Sequence, residues 1–216
     1  MKVYTFGDSW GAGAELKPKE ITFGKIIADK LNVEHDNLAV EGSSLGVILF
    51  TLLQNNNLIT DDDIVLIVVP PDVRWYGMNV NHEFYPVLLD TDEWKRMLHD
   101  KPIDWFIQHH NLFIYSIQSV LNSKGCKYIM MHNYGELCIK LEFQTLIDNN
   151  VFLSNKSLTS LLSSSDWNNY TLDSDGPNIK FTGKYFAGNF SHPNQDGHYR
   201  IAELINEKMK LYDTSK

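Results

Sequence analysis

Two short stretches at opposite ends of the 216-residue chain carry the residue types of nucleophilic chemistry. One is Gly7-Asp8-Ser9-Trp10-Gly11, and the other is Asn189-Phe190-Ser191-His192-Pro193-Asn194-Gln195-Asp196-Gly197-His198. A serine hydroxyl is a poor nucleophile until a base takes its proton, and the base must itself be held by a third group. Ser9 and His192 supply the first two. Each also has a structural reading on its own: Asp8 or Ser9 can cap a helix, and His192 can cap or pack the last one. Gly11-Ala12-Gly13 runs on into Ala14-Glu15-Leu16 without the third glycine of a dinucleotide fingerprint, and no Gly-Lys-Ser/Thr follows, which removes the phosphate-loop readings.

The elements around these stretches decide whether they can meet. Lys2–Phe6 alternates polar and apolar residues and is cut off by Gly7, which predicts a buried strand with Ser9 just past its carboxyl end. In an open α/β sheet ligands bind at that edge. Phe23, Ile26, Ile27 and Leu31 recur at helical spacing between a Thr22 cap and Asn32, and 33–40 reads as a second strand that delivers Gly42 to the same edge. Ser43 or Ser44 caps a helix running to about residue 53. The β-branched run Ile64–Val69, with no polar alternation, fits a central parallel strand covered on both faces, and Pro70-Pro71 stops it.

Residues 103–121 then fit a long helix ended by Lys124-Gly125, Lys127–His132 a fourth strand, and the stripe Ile201, Ala202, Ile205 and Met209 a last helix starting at Gln195 or Asp196. Strands alternating with helices argue for a parallel sheet. Two stretches, about 72–100 and 133–188, show no convincing period and read as insertions, the second a candidate lid dense in serine, asparagine and aspartate.

A Gly-Asp-Ser block after the first strand and a His-Pro-Asn-x-x-Gly-His block opening the last helix resemble the SGNH (GDSL-like) hydrolase family over nearly the whole chain, about 3–205. The resemblance implies a three-layer α/β/α, flavodoxin-like parallel sheet. It places Ser9 on the family's nucleophile, His192 on its general base, and Gly42 on the glycine whose amide joins that of Ser9 in the oxyanion hole. It places His198 on a structural histidine of the last helix.

Two positions depart from the family pattern. Asn189 stands where the family has an aspartate, three residues before the histidine, and Val69-Pro70-Pro71-Asp72-Val73-Arg74-Trp75 stands where it has a Gly-x-Asn-Asp block. An amide oxygen can accept the Nδ1 proton of a histidine but cannot stabilise the imidazolium as a carboxylate does. Three arrangements follow: a dyad oriented by Asn189 or a backbone carbonyl, an acid such as Asp196 or Asp175 folding in, or low activity. If the amide limits the base, Asn189→Asp raises the rate. The absent asparagine would cost roughly 3 to 4 kcal/mol of transition-state stabilisation without a substitute, and Asp72, Arg74 and Trp75 are candidates there for binding substrate.

Composition narrows the partners. A formal net charge of −8 argues against a nucleic-acid backbone or an anionic membrane. Cys126 and Cys138 match no metal-ligand spacing and no secreted disulfide framework. His109 and His110, adjacent on a helix, diverge by about 100° and cannot chelate one ion together. No metal or cofactor is expected. The amino terminus enters a strand without an apolar leader segment, so a cytoplasmic location is the simplest expectation.

Trp75, Tyr76, Trp94, Trp167 and Tyr170 fall in the insertions, and aromatic faces suit sugar rings. The reading is a one-domain serine esterase acting on small O-acyl esters, O-acetyl groups of a carbohydrate above all. The alternative is a catalytically weak or inactive binding or structural protein on the same fold. Burial discriminates between them: a competent Ser9 is accessible and lies beside His192.

Overall fold

The computed structural model describes residues 1–71, 75–78, 84–87, 101–134, 137–163, 170–172, 179–181, 183–187 and 192–214. Four strands, β1 (Lys2–Phe6), β2 (Glu34–Asn37), β3 (Ile64–Val69) and β6 (Lys127–His132), pair in parallel in the order β2-β1-β3-β6. The two remaining strand pairs are antiparallel hairpins in the insertions: β4 (Trp75–Met78) with β5 (Phe84–Val87), and β7 (Tyr170–Leu172) with β8 (Ile179–Phe181). The helices are α1 (Ser9–Ala12), α2 (Phe23–Leu31), α3 (Leu45–Asn55), α4 (Ile103–Lys124), α5 (Leu158–Leu162) and α6 (Gln195–Thr214).

Strand periodicity divides the core into two layers. Tyr4 and Phe6, then Val65, Ile67 and Val69, then Tyr128 and Met130 point to one face, where Leu45, Ile48 and Leu52 of α3 and Ile114, Ile117 and Leu121 of α4 cover them. Val3, then Ile64, Leu66 and Val68, then Ile129 and Met131 point to the other, under Phe23, Ile27 and Ala28 of α2 and Ile201, Ala202 and Ile205 of α6. This is the three-layer α/β/α arrangement that the resemblance implies, with β3 covered on both faces as its unbroken apolar run predicts. β2 lies on one side of β1 and β3 on the other, so the chain changes direction across the sheet at β1, and the carboxyl edge there is the crevice where such sheets bind ligands.

Several boundaries differ from the sequence reading. The second strand is Glu34–Asn37, shorter than 33–40, and the long helix runs to Lys124. The turn after Gly7 winds into α1. Within 133–188 the chain adds short 3-10 turns and α5, and Phe152 extends the sheet by a single parallel bridge to Met130, with Leu153 N–H donating to Met130 O at 2.8 Å. Both cysteines are free. Burial pushes the Cys126 thiol up to about 11, so it is inert at neutral pH. No helix among the described residues is long and apolar enough to cross a membrane.

Burial lowers three histidines, His35, His132 and His198, to about 4, with smaller opposing and reinforcing contributions from neighbouring charges. His198 shows what this protects: Phe23 N–H donates to its Nδ1 at 3.2 Å, an acceptor role that protonation would abolish. Below the unfolded value of about 6.5 the unfolded chain takes up these protons and the folded chain does not, so stability falls as pH drops from about 6.5 towards 4. Each such proton is worth up to about 1.4 kcal/mol per pH unit in that window, and solvent screening reduces the share of His35, the least buried of the three. His198→Asn, whose amide oxygen replaces Nδ1 as acceptor without titrating, is expected to flatten the fall of Tm between pH 6.5 and 4 by one proton's worth. An unchanged slope in calorimetry would refute that assignment.

Candidate active site

The nucleophile candidate sits where β1 turns into α1. Gly7 has φ 155°, and a Cβ there would lie 2.6 Å from Val68 Cβ, so only glycine lets the turn press against β3. Asp8 caps α1, its Oδ1 accepting from Trp10 N–H at 3.1 Å, and Ser9 opens the helix. The capping reading of Asp8 and the nucleophile reading of Ser9 are therefore compatible. Trp10 is fully buried, and its Nε1–H donates to Tyr134 Oη at 3.0 Å.

His192 comes to the same place from the far end of the chain, 183 residues away, with Nε2 2.8 Å from Ser9 Oγ. Its backbone is tied on both sides: Ala187 N–H donates to His192 O at 2.8 Å, and Phe186 bridges Pro193. Asn194 then caps α6, its Oδ1 accepting from Gly197 N–H at 3.0 Å while Nδ2 donates to Lys184 O at 2.7 Å. The Pro-Asn-x-x-Gly-His run thus fixes the histidine through its own turn chemistry.

The third group is Glu15. Its Oε2 lies 2.9 Å from His192 Nδ1, with the two side chains only 14% and 15% exposed. A carboxylate only accepts, so Nδ1 carries the proton, and the neutral ring then offers Nε2 as an acceptor to the Ser9 hydroxyl. Asn189 and Asp175 lie outside the described residues, and Asp196 is exposed on α6. On sequence, the charged stretch 15–20 with Pro18 reads as a loop, which gives Glu15 no catalytic signal.

Local structure explains how it reaches. α1 ends at Gly13 with φ 83°, and Glu15 itself has φ 66°, so two left-handed residues in three curl the chain back over the helix. For a residue with a Cβ that conformation costs of the order of 1 kcal/mol or more, so the surrounding structure must hold it. The following segment is clamped to α6: Ile21 and Gln195 exchange two hydrogen bonds at 2.7 and 3.0 Å, and Phe23 donates to His198. The segment that follows the Glu15 turn is thereby tied to the helix that follows His192. His198 has the supporting role expected of it.

The other sequence candidates divide. Gly42, φ 75°, follows β2 on the way to α3, whose cap is Ser44 through its bond from Val47 N–H. Asp72 and Arg74 lie outside the described residues, and Trp75 is described only as the first residue of β4. Of the two burial criteria, proximity of Ser9 to His192 is met, while Ser9 itself is buried, 6% exposed. No group of three or more potential metal ligands occurs among the described residues.

No family model and no curated protein matches the sequence. Solved structures do match the fold. A lipolytic protein of the G-D-S-L family from Veillonella parvula aligns over 96% of this chain and 97% of its own, with a TM-score of 0.51 and 14% identity. The psychrotrophic esterase EstA from Pseudoalteromonas sp. aligns over 99% and 98%, with a TM-score of 0.55 and 14% identity. The acetyl xylan esterase Est2A from the rumen bacterium Butyrivibrio proteoclasticus aligns over 97% of this chain and 64% of its own, with a TM-score of 0.52 and 12% identity. With its parallel sheet, flanking helices and near-complete alignment to the first two of these proteins, the chain has the fold of the SGNH (GDSL-like) hydrolases.

Proposed function

We propose that the protein is a serine ester hydrolase working through an acyl-enzyme on Ser9, with His192 as general base and Glu15 as the carboxylate that orients and charges it. The observation that carries this reading is the continuous chain from Ser9 Oγ through His192 to Glu15, 2.8 and 2.9 Å long, at the switch-point edge of the sheet. Ser9 Oγ attacks the ester carbonyl carbon as its proton passes to Nε2 of His192. The carbon–oxygen bond to the alcohol then breaks, and the alcohol leaves with that proton. Water, deprotonated by the same Nε2, attacks the acyl-serine and releases the acid, which restores Ser9. Glu15 stabilises the imidazolium formed in both halves, a task that an amide at position 189 could not perform alone. The backbone amides of Ser9 and Gly42 are the proposed oxyanion donors, and Asp72, Arg74 and Trp75 the proposed contacts to the rest of the substrate.

The substrate class is a short acyl ester, an O-acetyl group on a carbohydrate in the first place. The acetyl xylan esterase among the matching folds supports this, as do the tryptophans and tyrosines that the two insertions carry and the net charge of −8, which disfavours anionic lipid surfaces. Incubation with a fluorophosphonate is expected to add one phosphonyl group, located on Ser9 by peptide mass spectrometry, and the protein is expected to hydrolyse p-nitrophenyl acetate faster than the p-nitrophenyl esters of long-chain acids. Absence of both labelling and hydrolysis would leave the binding-protein alternative standing.

A further inference from the structure

We infer that Asn133 is a positioning residue for the nucleophile, acting through Asp8; the inference rests on the serine-hydrolase reading of the same site. Asp8 and Asn133 are both fully buried, and Asn133 Nδ2 donates to Asp8 Oδ2 at 2.7 Å. The other carboxylate oxygen of Asp8 receives Trp10 N–H at 3.1 Å. The two residues on either side of Ser9 are therefore joined through one carboxylate, and that carboxylate is anchored from outside the turn by Asn133.

Asn133 is itself held rigidly. It follows β6 directly; its N–H donates to Val69 O at 3.2 Å, and its carbonyl accepts from Thr159 N–H at 3.0 Å and from the Thr159 hydroxyl. The next residue repeats the grip, since Tyr134 accepts from Trp10 Nε1 and packs edge-to-face on its ring at 5.4 Å. The exit of β6 thus holds the nucleophile turn at Asp8 and at Trp10, with Ser9 between them.

The amide can serve Asp8 in only one orientation. Turned over, Oδ1 would face a carboxylate, so Nδ2 must be the donor, and Oδ1 is left buried with no hydrogen-bond partner among the described residues. A buried polar atom left unsatisfied destabilises the fold. An apolar side chain of similar volume would avoid that penalty but would take a donor from the buried Asp8 carboxylate. The bond thus serves the carboxylate that joins the residues flanking Ser9, and misplacing a reacting atom by about 1 Å can cost roughly 100-fold in rate.

Asn133→Ala is expected to lower kcat for p-nitrophenyl acetate by roughly 10- to 100-fold with KM within about threefold of wild type, measured below Tm on protein whose circular dichroism matches wild type. The exchanged pair Asp8→Asn with Asn133→Asp keeps both bonds, because the asparagine at position 8 accepts from Trp10 N–H through Oδ1 and donates through Nδ2 to the carboxylate now at 133. It is expected to recover at least about tenfold in kcat over Asp8→Asn or Asn133→Asp alone. Full kcat in folded Asn133→Ala, or a pair no better than the worse single variant, would overturn the inference while leaving the hydrolase reading intact. If Asn133→Ala does not fold, the pair and Asn133→Asp alone decide. Wild-type protein without Ser9-dependent hydrolysis would overturn both.

Discussion

Ser9→Ala and His192→Ala are each expected to lower kcat for p-nitrophenyl acetate by roughly 10⁴- to 10⁶-fold, and the double variant to fall no further than the worse single. The two side chains act as one unit: the hydroxyl is reactive only while its proton has somewhere to go, and Nε2 of His192, 2.8 Å away, is the only acceptor that the described contacts of Ser9 Oγ provide. Removing either leaves the proposed oxyanion donors and substrate contacts, which is why residual catalysis over water should persist. Both substitutions remove atoms without introducing charge, and Tm is expected to move little, so loss of rate can be separated from loss of fold. Steady-state kinetics with thermal melts of the three variants tests this. Retention of more than about a tenth of wild-type kcat in either single variant would exclude the acyl-enzyme on Ser9.

Glu15→Gln is the second large effect, an expected drop in kcat of roughly 10²- to 10⁴-fold with KM little changed. Glutamine keeps the length of the side chain, its Cβ in the left-handed conformation, and an oxygen able to accept from Nδ1–H. What it removes is the negative charge that stabilises the imidazolium, in surroundings where both side chains are about 85% withdrawn from solvent and screening is correspondingly weak. Its NH₂ can also turn towards Nδ1, which would leave the proton on Nε2 and take away the acceptor of the Ser9 hydroxyl. Asn189→Asp provides the contrast. With a carboxylate already at Nδ1, the rate should stay within about threefold of wild type, against the increase expected if the amide limited the base. Should Glu15→Gln keep full kcat while Asn189→Asp raises it, the orienting role would pass to residue 189.

Strong local signals gave the elements that a single stretch can specify. Ile64–Val69 has no alternation and became the doubly covered central strand, and the helices with regular apolar stripes became α2, α4 and α6. The hairpin β4–β5 escaped the period-2 reading because its strands contain Gly77 and Pro86, residues that interrupt strand patterns. Phe152 beside Met130 escaped it because a one-residue bridge has no period.

Within the site, Ser9 and His192 were legible because each lies in a run of residues with turn and cap chemistry of its own: Gly7 and Asp8 before the serine, Pro193, Asn194 and Gly197 after the histidine. Their types and spacings are properties of the sequence, and so is the strand that carries Ser9 to a carboxyl edge. Glu15 was not legible. A glutamate in a loop with Pro18 and several charges looks like a solvated residue, and its function depends on φ 66°, on the Ile21–Gln195 and Phe23–His198 clamps, and on a partner 177 residues distant. The same holds for Asn133, which meets Asp8 across 125 residues. The sequence by itself determined the candidate nucleophile, the candidate base and the sheet that could bring them to one edge, because local patterns encode local structure. Only the tertiary structure decided which carboxylate meets His192 and which amide meets Asp8, because those choices depend on long-range contacts that leave no periodic or motif-level trace in the chain.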